Sequence, residues 1–235
     1  MGGVLSAAGG LRPGSLTGHN AGRIEFGERM IKRTGRVLLA LALATAGGAA
    51  AAQSTTPIDP AAARKAVELC STCHGPYGIS TSPDFPILAA QREGYLEAQI
   101  DAFRSHTRAE KDAHDIMWGI AGNLDPAIIK GIAQYYAAQP PAPGRVQDPA
   151  AIARGKEVYD KGLPDRGIPA CATCHGQDAK GQSIFPRLAG QHATYVVKQV
   201  NYIQTLVRAA PVMHGIVKDL TPEEIQAVAY YVQSK

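Results

Sequence analysis

From about residue 59 onward, apolar and polar positions alternate with the period of an α-helix, and runs of period two are almost absent. The clearest case closes the chain. Thr221-Pro222-Glu223-Glu224 has the form of a capping box, and Ile225, Val228, Ala229 and Val232 follow at i, i+3, i+4 and i+7. Asp125-Pro126 opens a similar segment holding Ile128, Ile129 and Ile132. Asp59-Pro60 and Asp148-Pro149 open two more, because a carboxylate ahead of a proline suits an N-cap followed by the first helical position. The first of these runs through Ala66 and Leu69, the second through Ile152, Val158 and Tyr159. Further helices are predicted from about Arg92 to Arg104 and from about His192 to Leu206. The predicted fold class is all-α.

These elements come in two matching sets. Phe85-Pro86-Ile87-Leu88-Ala89-Ala90-Gln91 recurs as Phe185-Pro186-Arg187-Leu188-Ala189-Gly190-Gln191, Tyr95 and Gln99 recur as Tyr195 and Gln199, and Tyr135-Tyr136 recurs as Tyr230-Tyr231. Repetition on this scale predicts two tandem lobes, residues 53–138 and 148–235, joined by a stiff proline-rich linker at 139–147. Lobes of roughly 90 residues are small for a self-sufficient apolar core. Something else must fill each interior.

Residues 1–52 read as a leader. Met30 is followed by Lys32, Arg33 and Arg36, then by an uncharged stretch from Val37 that ends in small residues at Ala52. A basic region, an apolar core and a small-residue end make a secretory signal, so cleavage after Ala52 and export to the periplasm are expected. Left uncleaved, the stretch would act as an anchor, although it falls short of the roughly 20 apolar residues that span a bilayer. The leader also carries the charge. The whole chain has a formal net charge of +4, yet residues 53–235 hold 18 Lys and Arg against 18 Asp and Glu. That balance gives no basic face for nucleic acid.

All 4 cysteines fall in two runs, Cys70-Ser71-Thr72-Cys73-His74 and Cys171-Ala172-Thr173-Cys174-His175. Two thiols three positions apart, followed at once by an imidazole, form the pattern of covalent c-type haem attachment. Two runs predict two covalently bound haem c groups with their iron. A thioredoxin-like redox pair would need a βαβ setting, and a four-cysteine zinc site brings its pairs within about 15 to 20 residues. Cys73 and Cys171 are 98 positions apart.

With the leader gone, only Met117 and Met213 remain, one per lobe, 43 and 38 residues beyond His74 and His175. Histidine with methionine is the c-type pairing that raises the reduction potential, so these two are the expected second ligands, with gap-filling in the core as the alternative. His106, His114, His192 and His214 are competing imidazoles at unmatched places, expected in solvent or behind the ligands. Pro86 and Pro186 either offer a carbonyl to the far ring nitrogen of His74 and His175 or simply make a turn. Arg187, Gln91 and Gln191 are candidates for haem propionates, Tyr95 and Tyr195 for packing between helices with a propionate contact as the alternative, and Trp118 for the pocket wall.

Taken together, the two Cys-x-x-Cys-His runs, the duplicated Phe-Pro-x-Leu-Ala-x-Gln, the late methionine in each half and Ala227-Val228-Ala229-Tyr230-Tyr231 resemble the two-haem cytochrome c4 family over essentially all of residues 60–234. The resemblance implies two class-I-like cytochrome c domains related by a pseudo-twofold axis, their haems facing each other, with His74 paired to Met117 and His175 to Met213. It also implies a periplasmic one-electron carrier, not an enzyme, working between a quinol-oxidising complex or dehydrogenase and a terminal oxidase or reductase. A haem subunit of a larger oxidoreductase complex is the alternative. The first lobe departs from the pattern in its polar segment Ala113-His114-Asp115-Ile116-Met117-Trp118 and in Ile87, which stands where the second lobe has Arg187.

Overall fold

The structure, a computed structural model, describes residues 59–235; the predicted leader lies outside the described residues. Each lobe begins as its capping residue dictates. Asp59 accepts a hydrogen bond from the Ala61 amide at 2.9 Å and starts α1 (Pro60–Lys65), which passes through a π-helical turn, Ala66–Cys70, into α2 (Ser71–His74). A loop leads to α3 (Glu93–Arg104), and a second π-helical turn, Ala113–Met117, runs into α4 (Trp118–Ala121). The Asp125 carboxylate then caps α5 (Pro126–Ala137) by accepting from the Ile128 amide.

The second lobe repeats the order with α6 (Pro149–Lys161), α7 (Ala172–His175), α8 (Ala193–Gln204), α9 (Pro211–Val217) and α10 (Pro222–Gln233). Asp148 caps α6, and Thr221 with Glu224 forms the expected capping box on α10. No strand occurs among the described residues, only isolated bridges. Nor is any helix there long and apolar enough to cross a membrane. The lobes differ where the chain lengths differ. α6 is longer than α1 and is followed by a loop closed on itself by the Leu163–Ile168 bridge, whereas the first lobe uses its π-helical turn to enter the cysteine motif directly.

In both lobes the first and last helices cross at a small residue. A Cβ on Gly131 of α5 would meet the Ala62 Cβ of α1 at 2.1 Å, and one on Gly155 of α6 would meet the Ala227 carbonyl of α10 at 2.0 Å. Close crossing places the aromatic ends of α5 and α10 in the core. Tyr136 is buried with Ile129, Ile132 and Leu96, and Tyr159 with Tyr231 and Val232. Ile129 and Ile132, each 2% exposed, stabilise the first lobe by roughly 1.5–3 kcal/mol apiece. The buried phenols keep their hydroxyls satisfied: Tyr136 donates to the Ala66 carbonyl at 3.1 Å, Tyr159 to the Gly176 carbonyl at 2.7 Å. Between α5 and α6 the chain has no regular secondary structure, and Ala142 packs on Ile87 and Ala89.

Candidate functional site

One helical turn presents each Cys-x-x-Cys-His run. The His175 amide bonds to the Cys171 carbonyl at 3.0 Å, which sets the two sulfurs and the imidazole on one side of the turn. Both turns stop at a glycine in the left-handed region, Gly75 and Gly176, each at φ 78°. At Gly75 the reason is also steric, since a Cβ would lie 2.2 Å from the Ile79 carbonyl oxygen. Stopping there turns the chain back so that the Phe-Pro segment passes behind the histidine. His74 Nδ1 lies 2.9 Å from the Pro86 carbonyl oxygen and His175 Nδ1 lies 3.0 Å from that of Pro186. A carbonyl only accepts, so Nδ1 carries the proton and Nε2 is left with a free lone pair. Phe85 and Phe185 then meet the two imidazoles edge-on, with ring centroids 6.1 and 6.3 Å apart.

The free nitrogens face a cavity of about 740 Å³ that is continuous between the lobes and mostly apolar in its lining. Cys70, Cys73, His74, Met117, Cys171, Cys174, His175 and Met213 all line it. Burial pulls both imidazoles below their ordinary pKa, partly offset by the proline carbonyls, and pushes the Cys70 and Cys171 thiols up to about 11. Both cause the same outcome. Burial therefore favours the neutral forms of His74, His175, Cys70 and Cys171.

The sequence family described as cytochrome c matches residues 152–235. A cytochrome c-552 of Acidithiobacillus ferridurans is 36% identical over 200 residues, covering 84% of this chain and 86% of the relative. A cytochrome c4 of Thiocapsa roseopersicina is 37% identical over 182 residues, covering 74% of this chain and 92% of the relative. The chain belongs to the cytochrome c4 family. The crystal structure of reduced recombinant cytochrome c4 from Pseudomonas stutzeri agrees, with a TM-score of 0.70 at 30% identity over 76% of this chain and 99% of that one. The cytochrome is therefore a di-haem electron carrier built from tandem cytochrome c domains, with covalently bound haem c as its cofactor.

The residues fit that cofactor. His175 Nε2 is buried with no hydrogen-bond partner, a state that costs about 1–3 kcal/mol unless something else uses the lone pair. Paired cysteines flank it, a methionine borders the same cavity, and the lining is mostly apolar, as a porphyrin requires.

Where the lobes of the cytochrome meet, the structure departs from several sequence expectations. Gln91 and Gln191, candidates for propionates, bond instead to backbone groups of the other lobe. The Gln191 amide brackets Ile87 of the first lobe, accepting from its N–H at 2.9 Å and donating to its carbonyl at 3.0 Å. Gln91 does the same to Arg187, at 2.7 and 2.9 Å. Each glutamine also accepts from the next backbone amide, Arg92 or His192, at the start of α3 or α8. His192, expected in solvent or behind the ligands, is 1% exposed and locks the lobes together: Nε2 sits 2.8 Å from Ser80 Oγ and 3.1 Å from the Ser80 carbonyl, and Nδ1 receives the Arg145 guanidinium. His106 stacks on Trp118 at 3.9 Å, His114 is exposed beside Asp115, and the His214 ring donates from Nδ1 to the Ile203 carbonyl at 2.9 Å.

Sequence reading missed a buried polar cluster at this junction. Arg108 and Arg208 pair by an antiparallel backbone bridge. Arg108 donates to Gln99 at 3.0 Å, Gln199 at 2.9 Å and Tyr195 at 3.4 Å; Arg208 donates to Gln99 at 2.7 Å, Gln199 at 2.6 Å and Tyr95 at 2.9 Å. Tyr95 and Tyr195 thus act through their hydroxyls, beyond the packing expected of them. Glu110 completes the cluster 2.6 Å from Arg108. A signal existed. Arg108-Ala109 recurs as Arg208-Ala209 at the same offset as the Phe-Pro segments.

Proposed function

We propose that His74 and Met117 hold one haem iron and His175 and Met213 the other, with Cys70, Cys73, Cys171 and Cys174 tethering the two porphyrins in lobes at 53–138 and 148–235. In this reading the cytochrome works in the periplasm and passes single electrons from a quinol-oxidising complex or dehydrogenase to a terminal oxidase or reductase. Bound haem supplies a one-electron ferric/ferrous couple. The chain's own residues do the rest. The Pro86 and Pro186 carbonyls hold each imidazole at a fixed tautomer and orientation, the apolar wall excludes water, and the glutamine brackets keep the lobes at one spacing. Six ligands on each iron leave no position for a substrate, which supports a carrier rather than an enzyme.

The observation that carries the reading is the pair of imidazoles whose Nδ1 atoms are both committed to a proline carbonyl while a methionine from the same lobe borders the same cavity. Haem stoichiometry with a redox titration tests it. Two tethered haems per chain are expected, with the weak far-red band of ferric iron bound to methionine sulfur. Met213→Ala should remove about half of that band; a full band in the variant, or fewer than two haems in the wild type, overturns the assignment. Purification from the periplasm without a stoichiometric catalytic partner separates a free carrier from a subunit of a larger complex.

A further inference from the structure

We propose that His192 of the second lobe is a positioning residue for the iron-binding imidazole of the first, holding His74 in place through Ser80 and the backbone of Phe85 and Pro86. The inference rests on the assignment of His74 as an iron ligand above. It starts from what holds each Phe-Pro segment, because the Pro86 and Pro186 carbonyls fix the two imidazoles. Beyond each proline the lobes are alike. Gln191 brackets Ile87 and Gln91 brackets Arg187, each glutamine reaching across from the other lobe.

Ahead of the proline they differ. In the second lobe the Phe185 carbonyl accepts from the Gln182 amide at 3.2 Å, and the Phe185 amide donates back to the Gln182 carbonyl at 2.9 Å, a bridge closed inside one loop. The Gln182 side chain donates to the Thr173 carbonyl at 2.7 Å, so every group in that arrangement belongs to the second lobe. In the first lobe the Phe85 carbonyl accepts instead from the Ser80 hydroxyl at 2.6 Å, and no backbone amide among the described residues donates to it. At the offset of the cysteine motifs Ser80 corresponds to Gly181, which has no side chain to do the same.

A serine hydroxyl carries one proton. The Phe85 carbonyl at 2.6 Å takes it in preference to the Ser82 carbonyl at 3.4 Å, so Ser80 Oγ acts as an acceptor toward His192 Nε2 at 2.8 Å. The other ring nitrogen agrees. His192 Nδ1 receives the Arg145 guanidinium, which can only donate, so the ring proton sits on Nε2. The sense of each bond is thereby set: His192 donates to Ser80, Ser80 donates to the Phe85 carbonyl, and His74 donates to the next carbonyl, that of Pro86, at 2.9 Å. Water cannot easily substitute, since His192 is 1% and Ser80 4% exposed. None of His192, Ser80 and Arg145 borders the haem cavity. At the offset of the Phe-Pro segments His192 corresponds to Arg92, so the second imidazole has no counterpart of this chain of bonds. Losing either Ser80 or His192 frees the Phe85 carbonyl, lets the adjoining Pro86 carbonyl shift and loosens the His74 ring about its bond to iron.

The test is made on the Ser80→Ala holoprotein with two readouts of the imidazoles. Solvent exchange of the histidine Nδ1 protons is followed by NMR in the reduced protein. Electron paramagnetic resonance of the oxidised protein reports each low-spin iron, whose largest g value depends on the orientation of its imidazole; the first-lobe signal is the one altered in Met117→His. Ser80→Ala is expected to speed exchange at His74 Nδ1 about tenfold and to move the first-lobe g value, with exchange at His175 changing by less than about twofold and its signal staying in place. His192→Phe, which keeps a ring but removes the donor, should do the same, whereas His192→Gln, which keeps a donor, should stay within about threefold of the wild type. A change under about threefold at His74 in Ser80→Ala, equal changes at both imidazoles, or an effect of Ser80→Ala that His192→Phe does not share overturns the inference and leaves the ligand assignment standing. If Met117→His alters neither signal, the assignment itself fails and the inference with it. Should Ser80→Ala accumulate without two haems, the contrast between His192→Phe and His192→Gln decides, and equal exchange at His74 in those two variants overturns the inference.

Discussion

Replacing Gln191 by alanine should loosen the lobes more than any exposed substitution on the same face. Three hydrogen bonds are lost at once: those to the Ile87 amide at 2.9 Å, the Ile87 carbonyl at 3.0 Å and the His192 amide at 3.0 Å. The partners cannot turn to water, because Ile87 is 7% and His192 1% exposed. With about 1–3 kcal/mol for each buried group left unpaired, and some recovery if water enters the space of the missing side chain, the loss comes to about 3–5 kcal/mol. The equivalent residue of the first lobe gives an internal control. Gln91→Ala also removes three bonds, to the Arg187 amide and carbonyl and the Arg92 amide, but these groups are only part-buried and water can replace the side chain. Its loss should be about 1–2 kcal/mol. Urea denaturation of the holoproteins, followed by circular dichroism, measures both, and hydrogen exchange at the Ile87 amide reports the site itself. A loss below about 1 kcal/mol for Gln191→Ala, or a larger loss for Gln91→Ala, would refute the bracket as a determinant of lobe docking.

Two further outcomes follow from single residues. His192 has a pKa lowered from its ordinary 6.5, by burial first and then by the Arg145 charge at Nδ1, with the Ser80 carbonyl at Nε2 opposing. On acidification the unfolded chain therefore takes up this proton first, so the contribution is complete above about pH 6.5 and is lost below it, by up to about 1.4 kcal/mol per pH unit. His192→Gln should flatten the difference in urea midpoint between pH 7.5 and 5.5, and an unchanged difference would show that another group governs it. Ala90 adopts φ 55° where the second lobe has Gly190 at φ 77°. Ala90→Gly relieves a left-handed alanine and should stabilise the holoprotein by about 1 kcal/mol, read as a rise in thermal midpoint.

Much of this protein is written locally. Helix starts at Asp59, Asp125, Asp148 and Thr221 depend on a side chain and an amide two or three residues away, so they are visible in any short window. The same holds for the cysteine turns, where two sulfurs and an imidazole are brought together by one helical turn. Repetition extended the reach further: the doubled motifs separated the lobes and pointed to one methionine in each. The two π-helical turns of the first lobe were not visible, because one extra residue in a helical run leaves the apolar pattern almost unchanged.

The junction between the lobes depended on tertiary structure alone. Gln91 and Gln191 recur in the sequence, but their partners are backbone atoms about a hundred positions away, and a backbone amide carries no residue identity that a pattern could record. His192 looks like a surface imidazole until Ser80 and Arg145 are folded around it. Arg108, Arg208 and Glu110 would be read as solvated charges from their neighbours in the chain, since burial of a charge is worthwhile only when distant groups converge to compensate it. Composition and local order decided which helices form and where the thiols and imidazoles stand. Docking decided which polar groups leave water, because that depends on what the other lobe brings to meet them.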